Sequence, residues 1–427
     1  MVAPTTHSIR VLPPKAGPKA EPTAANLIAS LIHPERKASL WTVEFSPDGH
    51  RLFTSGYPSG IVQIWDPASR KEITRIETPP GYRGSAEYAL LSPDWNTLYV
   101  PVEKRSVHAV ERDGKKLHRI EYTGQVRVWD VPSRKEKASL QPAVGTAPVY
   151  ARLAPGGRLL VCIERPGYDT SNPAPKDVTV VWDLATGKKR KLSDGFAIPS
   201  FFPDGKTIAA RVADYDSKTS AVKLIDLVCG KELAKVTSAE KDRHFSVGQV
   251  SPDGTVVAVF LGGKKAAPVE VWFLDARTLV DRGRLIGKAD PNGYGWTHGR
   301  FTPDSKRFVV LDGVGNALLW NVAKQKLERT LPLGGDRPAW RLAMSPDGKT
   351  LAVGWAPKAD ADLDDASEPD PLDLPQPRVS LIDLAGNTPV QVLVAPHGYT
   401  GGLAFSPNGK TLAFGGAGAV HLFDLKR

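Results

Sequence analysis

Ser46-Pro47-Asp48-Gly49, Ser251-Pro252-Asp253-Gly254 and Ser345-Pro346-Asp347-Gly348 are three copies of one turn, and weaker copies begin at Ser92, Ala154, Phe202, Thr302 and Ser406. Proline presets φ at the second turn position, aspartate or asparagine bonds its own backbone, and glycine accepts the positive φ that returns the chain into an antiparallel strand. Each copy therefore reads as a hairpin turn, and there are eight of them.

Downstream of every turn an alternating apolar stretch ends in a large residue and a polar one: Trp65-Asp66, Trp129-Asp130, Trp182-Asp183, Ile225-Asp226, Leu274-Asp275, Trp320-Asn321, Ile382-Asp383 and Phe423-Asp424. The period of two, as in Val126-Arg127-Val128-Trp129, predicts strand and rules against helix. A second turn such as Thr186-Gly187-Lys188 and a further strand lead back to the next copy. Each unit reads as a four-stranded antiparallel meander.

With these motifs in view, residues 27–427 resemble the WD-repeat β-propeller family, whose blades carry a Trp-Asp signature about every 40 to 45 residues. The resemblance implies an all-β, closed propeller of four-stranded antiparallel blades. Eight blades are expected from the count, with seven and one divergent insertion as the alternative. It also implies a non-enzymatic scaffold for protein-protein interaction. The Gly-His dipeptide of that family is nearly absent, surviving as His33 and a reversed His397-Gly398, so the aspartates of the Trp-Asp pairs are expected mainly to tie turns.

The last repeat stops three residues after Asp424, leaving its blade without an outer strand, and Leu27–Ile32 has the composition to supply one. Such a strand would close the ring and remove exposed edges. Residues 1–25 read as a disordered Pro/Ala/Lys-rich tail and 26–427 as a single propeller.

Composition agrees with a soluble globular chain: 41% hydrophobic and 24% charged residues, with 39 glycines and 37 prolines in no three-residue period. Two cysteines, Cys162 and Cys229, imply no disulfide framework. The tail lacks the apolar run of a secretory signal and no run of about 18 apolar residues occurs, so a cytoplasmic protein with no membrane contact is expected. The net charge of +10 comes from 56 basic and 46 acidic residues spread along the chain, and nucleic acid is not the expected partner. A protein partner is, with the chain itself a monomer.

From the first turn residue to the polar member of the following pair, the intervals are 20, 38, 29, 24, 24, 19, 38 and 18 residues. From each pair to the next turn they stay between 19 and 27. The excess in repeats two, three and seven must sit between the second and third strands, whose loops share a rim with the loops joining blades. Loops on a rigid scaffold concentrate binding residues. The insertion in repeat two, Val107 to Glu121, reads as a protruding mixed-charge hairpin about Asp113-Gly114, with Glu111 opposite Lys116 and Val110 opposite Leu117. That in repeat seven, Ala356 to Pro377, is an acidic flap whose Asp360, Asp362 and Asp364 have calcium-loop spacing, but Asp365 and Pro371 stand where such a loop needs Gly and Glu.

The inner strands place Tyr88, Tyr150, His298, Arg300 and Arg341 toward one mouth of the axial channel, with Arg152 and Glu44 deeper; neighbouring loops add Tyr82, Tyr294, Trp296, Trp340 and Tyr399. Aromatic residues and arginine are the types enriched in interface hot spots. The candidate binding set is therefore Tyr88, Tyr150, Arg152, Tyr294, Trp296, His298, Arg300, Trp340, Arg341 and Tyr399. The plainer reading is that Trp41 and Trp340 pack between blades and the arginines pair with acids.

No catalytic residue, metal or cofactor is assigned. The Gly-Lys-Thr triplets at Gly205, Gly348 and Gly409 lack the glycine five places earlier that a phosphate loop requires. The run Lys188-Lys189-Arg190-Lys191 reads as solvated charge on a turn. The alternative to a scaffold is a small-molecule-binding or catalytic propeller, of quinoprotein or hydrolase type, that uses the channel. Asp183 to Lys188 resembles the quinoprotein turn, but Lys189, Arg190 and Lys191 follow where those proteins carry a docking Trp.

Overall fold

The computed structural model describes residues 22–23, 27–35, 37–57, 60–78, 82–84, 89–112, 115–170, 175–195, 199–214, 219–238, 244–262, 268, 270–288, 299–312, 314–333, 339–355, 376–386, 389–396 and 400–425. Their strands form eight antiparallel sheets in chain order around a ring, blades 2 to 7 drawing theirs from residues 83–140, 146–194, 199–237, 244–286, 299–332 and 339–394. Blade 1 is Ser39–Phe45, Leu52–Tyr57, Ile61–Asp66 and Lys71–Glu77, running from the channel outward. Blade 8 is Leu403–Phe405, Thr411–Gly415 and Ala419–Asp424, and its outer strand is Leu27–Ile32. The ring is thus eight-bladed and closed by the N-terminal strand, as the repeat count and the missing strand require. Among the described residues no helix is long and apolar enough to cross a membrane.

Alternation explains the core. Successive strand residues face opposite sides, so Phe53, Val62 and Ile64 pack toward blade 2 while Leu52 and Trp65 pack toward blade 8. Eight buried clusters result, each spanning one junction between neighbouring blades, including blades 7 and 8 and blades 8 and 1.

The turns behave as their residues dictate. Ser46 Oγ donates to Asp48 at 2.5 Å and accepts the Arg51 N–H at 2.9 Å; Ser345 repeats this with Asp347 and Thr350. Gly49, Gly254 and Gly348 have φ of 75°, 71° and 68°. In the weaker copies Trp95 and Ser305 hold the same left-handed position, at 62° and 59°. The Trp-Asp aspartates tie the second turn: Asp66 accepts from the N–H groups of Ala68 and Ser69, Asp275 from those of Arg277 and Thr278. These bonds, led by the Ser69 hydroxyl in one case and the Arg277 N–H in the other, hold both carboxyls below the usual range.

Two features exceed the sequence reading. Pro22–Thr23, within the segment read as a tail, pairs in parallel with Val392 and Leu393 on the edge of blade 7. The run Lys188–Lys191 is engaged: Arg190 donates to the carbonyls of Val228 and Leu227 in blade 4, and Lys189 to the buried Glu164 at 3.0 Å. Arg329 makes the matching cross-blade contact, to the carbonyls of Leu384, Ala385 and Gly386.

At the closure His33 is buried, and its Nδ1 accepts the Glu35 N–H at 3.1 Å. Burial lowers its pKa. The unfolded imidazole takes its proton below about pH 6.5 while the folded one does not, so the unfolded state binds more protons in that window. The His33 contribution is complete above the window and lost on acidification through it. Between pH 7.5 and 5.5 the wild type should lose more urea stability than His33→Asn; equal losses would refute this assignment.

Candidate functional site

The rim bearing the loops between second and third strands is the elaborated one. In blade 2 the strands Thr97–Arg112 and Lys115–Asp130 run 16 residues each, against 5 to 8 for second and third strands elsewhere. They form one continuous hairpin in which Lys116 faces Glu111 and Leu117 faces Val110, the register expected of a two-residue turn. The blade 3 insertion turns back onto it: Tyr168 and Asp169 pair with Ile120 and Arg119, and Thr170 exchanges two bonds with His118, each 2.9 Å. Ile120, Tyr122 and Ala147 are buried beneath Tyr168. Two separate insertions therefore build one projecting unit. Its solvent face is mixed in charge, with Glu121 3.1 Å from Arg119 and 3.6 Å from His108. The acidic insertion with Asp360, Asp362 and Asp364 lies outside the described residues.

The channel wall is set by inner-strand residues two places before each turn. Ser200 accepts the Val250 N–H and Gln249 accepts the Phe301 N–H, both at 2.9 Å and both across a blade junction. These short polar side chains stitch neighbouring inner strands together. Glu44, Arg152 and Arg300 occupy the same level and are exposed to the channel space, with the ring around them. Burial raises the Glu44 pKa, opposed by Arg152. Burial and the Arg152 charge together lower that of Arg300. Glu44 and Arg300 thus each feel the Arg152 charge.

Tyr150 is 5% exposed and accepts a 2.8 Å hydrogen bond from Arg152 Nε, which also lies over its ring. It braces Arg152 rather than offering surface. Arg341 stacks its guanidinium over Trp41, 4.7 Å from the ring centroid. The pair spans from blade 7 to blade 1, while Gly401-Gly402 of blade 8 let its backbone lie against the inner strand of blade 1. β-bulges at Trp41, Val149 and Trp340 interrupt the inner strands of blades 1, 3 and 7, and a bulge re-aims the side chains beside it.

Of the expected binding residues, Tyr150, Arg152, Arg300 and Arg341 are placed on the inner strands. Tyr88, Tyr294, Trp296, His298 and Tyr399 lie outside the described residues, and Trp340 is described only as a backbone position in Ala339–Met344. The sequence reading missed the clamp at Tyr168–Thr170 and the Trp41–Arg341 stack. Among the described residues no group of three His, Cys, Asp or Glu side chains could hold a metal. Cys162 is buried and its thiol is pushed well above its usual range by desolvation, which leaves it inert.

The family described as WD domain, G-beta repeat matches residues 26–66, a span that takes in the closing strand of blade 8 and ends on Trp65-Asp66. No curated protein matches the chain in sequence. Among solved structures it is similar to the C-terminal WD40 domain of Sif2, with a TM-score of 0.61 and 11% identity over 94% of this chain and 98% of that one. By its ring of eight four-stranded blades and its closing strand, the chain is an eight-bladed β-propeller, and its residues 26–66 match a WD repeat.

Proposed function

We propose that the chain is a non-enzymatic protein-interaction scaffold that engages its partner through the loop-rich rim and the adjoining channel mouth. The observation that carries this reading is the clamp between two insertions. Loops that accumulate neutrally have no reason to pair with one another, whereas Tyr168–Asp169 adds backbone bonds and buried area to a hairpin grown from a different blade. A braced projection beside a mouth carrying Trp41 and Arg341 presents aromatic and guanidinium groups on a rigid frame, the composition of interface hot spots. WD40 propellers commonly serve as such platforms, and that likeness supports the reading.

The test is affinity capture from native lysate at low and high salt. It compares the intact chain with two variants, one whose residues 356–377 become a short Gly-Ser turn and one whose residues 104–121 become Asn-Gly. A partner held by the intact chain should be lost from at least one variant, and salt sensitivity separates charge from burial. An unchanged set of captured proteins would overturn the rim assignment. A small ligand found at unit stoichiometry by native mass spectrometry would favour the channel arginines, and a ligand-binding propeller, instead.

A further inference from the structure

We infer that the outer edge of the blade 2 hairpin, residues 105–111, is a self-complementary strand that pairs antiparallel with the same strand of a second copy. The direction of its backbone groups is fixed by the hairpin. His118 uses its N–H and carbonyl on Thr170, away from the partner strand. Arg119 must then point inward to His108, its register partner. Along an antiparallel ladder the groups alternate, so His108, Val110 and Ser106 bond within the hairpin while Arg105, Val107, Ala109 and Glu111 point outward. The short strand Arg83–Gly84 agrees, taking this edge at Glu103. Beyond it no described strand covers 105–111.

These outward residues are all exposed, Val107 at 51%. Long uncovered edges are templates for pairing, and proteins that must avoid it blunt them with like charge, proline or bulges; here the outward charges at 105 and 111 are of opposite sign. This stretch has no proline, and the register of the hairpin is continuous from Lys115↔Arg112 to Asp130↔Thr97 without a bulge.

Charge selects both occupant and register. With two identical strands antiparallel about His108, the outward residues meet as Arg105 with Glu111 of the other copy and Val107 with Ala109, each pair exchanging both backbone bonds. The two-fold axis gives every contact twice. Moving the centre to Val107 would set Glu103 against Glu111 and repel. Within its own chain neither Arg105 nor Glu111 makes an ion pair among the described residues, since Glu121 takes Arg119 and His108. At the ends Lys104 faces Arg112, which limits affinity. The edge of a second strand left uncovered by the described residues faces the channel side, so pairing sets the loop-rich rims of two copies face to face. The expected assembly is a weak, concentration-dependent dimer, replacing the expectation of a monomer. It does not rest on the scaffold reading.

Sedimentation velocity over a concentration series tests this on the full chain. Proline tolerates an edge position whose N–H faces away from its ladder, so Ala109→Pro should leave the hairpin and the far-ultraviolet spectrum intact and abolish self-association. Arg105→Glu and Glu111→Arg should each raise the dimer dissociation constant about tenfold, and the double exchange should restore it. A chain that stays monomeric to its solubility limit, or a dimer indifferent to Ala109→Pro and to the charge exchanges, overturns the inference. Partner capture by the intact chain well below the dimer dissociation constant, where it is monomeric, should remain, which separates this result from failure of the scaffold reading.

Discussion

Deleting residues 1–33 should abolish the cooperative unfolding transition and leave a chain that aggregates, whereas deleting residues 1–21 should change stability little. Leu27–Ile32 is the outer strand of blade 8, paired with Phe423, Leu422, His421, Val420 and Ala419. Leu31 is 3% exposed and joins the cluster between blades 8 and 1. Ser30 Oγ and His421 Nδ1 lie 2.9 Å apart, and the His33 N–H donates to the Gly418 carbonyl at 2.9 Å. Each lost hydrogen bond that leaves a buried group unpaired costs about 1 to 3 kcal/mol. The loss of several, together with Leu31, approaches the 5 to 15 kcal/mol or so by which domains are stable. Removal also bares the buried strand Ala419–Asp424 as an open edge. Point variants separate packing from mere truncation. Leu31→Ala should cost about 2 to 4 kcal/mol, and Ile32→Thr, at a position 58% exposed, no more than about 0.5 kcal/mol. Urea or thermal denaturation followed by circular dichroism measures all of these. A 34–427 chain that unfolds cooperatively near the wild-type midpoint would show that the ring does not depend on its closing strand.

The sequence made the ring legible because its signals are local. A Ser-Pro-Asp-Gly turn and an alternating strand need only neighbouring residues to act, so blade number, closure and the blade 2 hairpin register follow from reading along the chain. The pattern holds even where glycine is missing. Trp95 keeps a left-handed φ because its ring is 3% exposed beneath Arg51, whose guanidinium also reaches its carbonyl. Ser305 keeps one while its hydroxyl accepts the Asp253 N–H from the preceding blade's turn at 3.0 Å.

What stayed hidden depends on residues far apart in the chain. Tyr168–Asp169 is a two-residue strand, too short to carry a period, and its partner lies about 50 positions away in another blade. Arg341 was legible as a polar residue near the mouth, but its stack on Trp41 spans 300 positions. Tyr150 has the residue type of a contact and the position of a support, and only burial tells the two apart. Reading along the chain sets Arg300 toward the mouth and Glu44 and Arg152 deeper, whereas all three stand two places before their turns, and the influence of Arg152 on the other two required the ring to close.

Gly401→Ala should cost about 3 kcal/mol or more, at the upper end of overpacking penalties, while Gly262→Ala should be neutral or slightly stabilising. The difference is one of approach rather than of backbone conformation. A Cβ on Gly401 would lie 2.1 Å from the Leu40 carbonyl oxygen, and one on Gly415 2.2 Å from the same atom. That carbonyl accepts the Gly402 N–H at 2.9 Å, while Gly401 donates to Gly415. Blade 8 therefore rests its backbone directly on the inner strand of blade 1, with no flexible side chain between them to yield. A methyl group must push the two backbones apart, at the one junction where the two ends of the chain meet. Gly262 has nothing within 4 Å of its missing Cβ and ends an exposed strand position, so alanine there only narrows the unfolded ensemble. Displacement at Gly401 would also tilt Trp41 beneath Arg341. The variant should accordingly show altered tryptophan fluorescence before it unfolds, and weakened partner capture at temperatures where the fold persists. Urea midpoints for the two alanine variants decide the matter: equal stabilities would mean that blades 8 and 1 have slack the geometry denies.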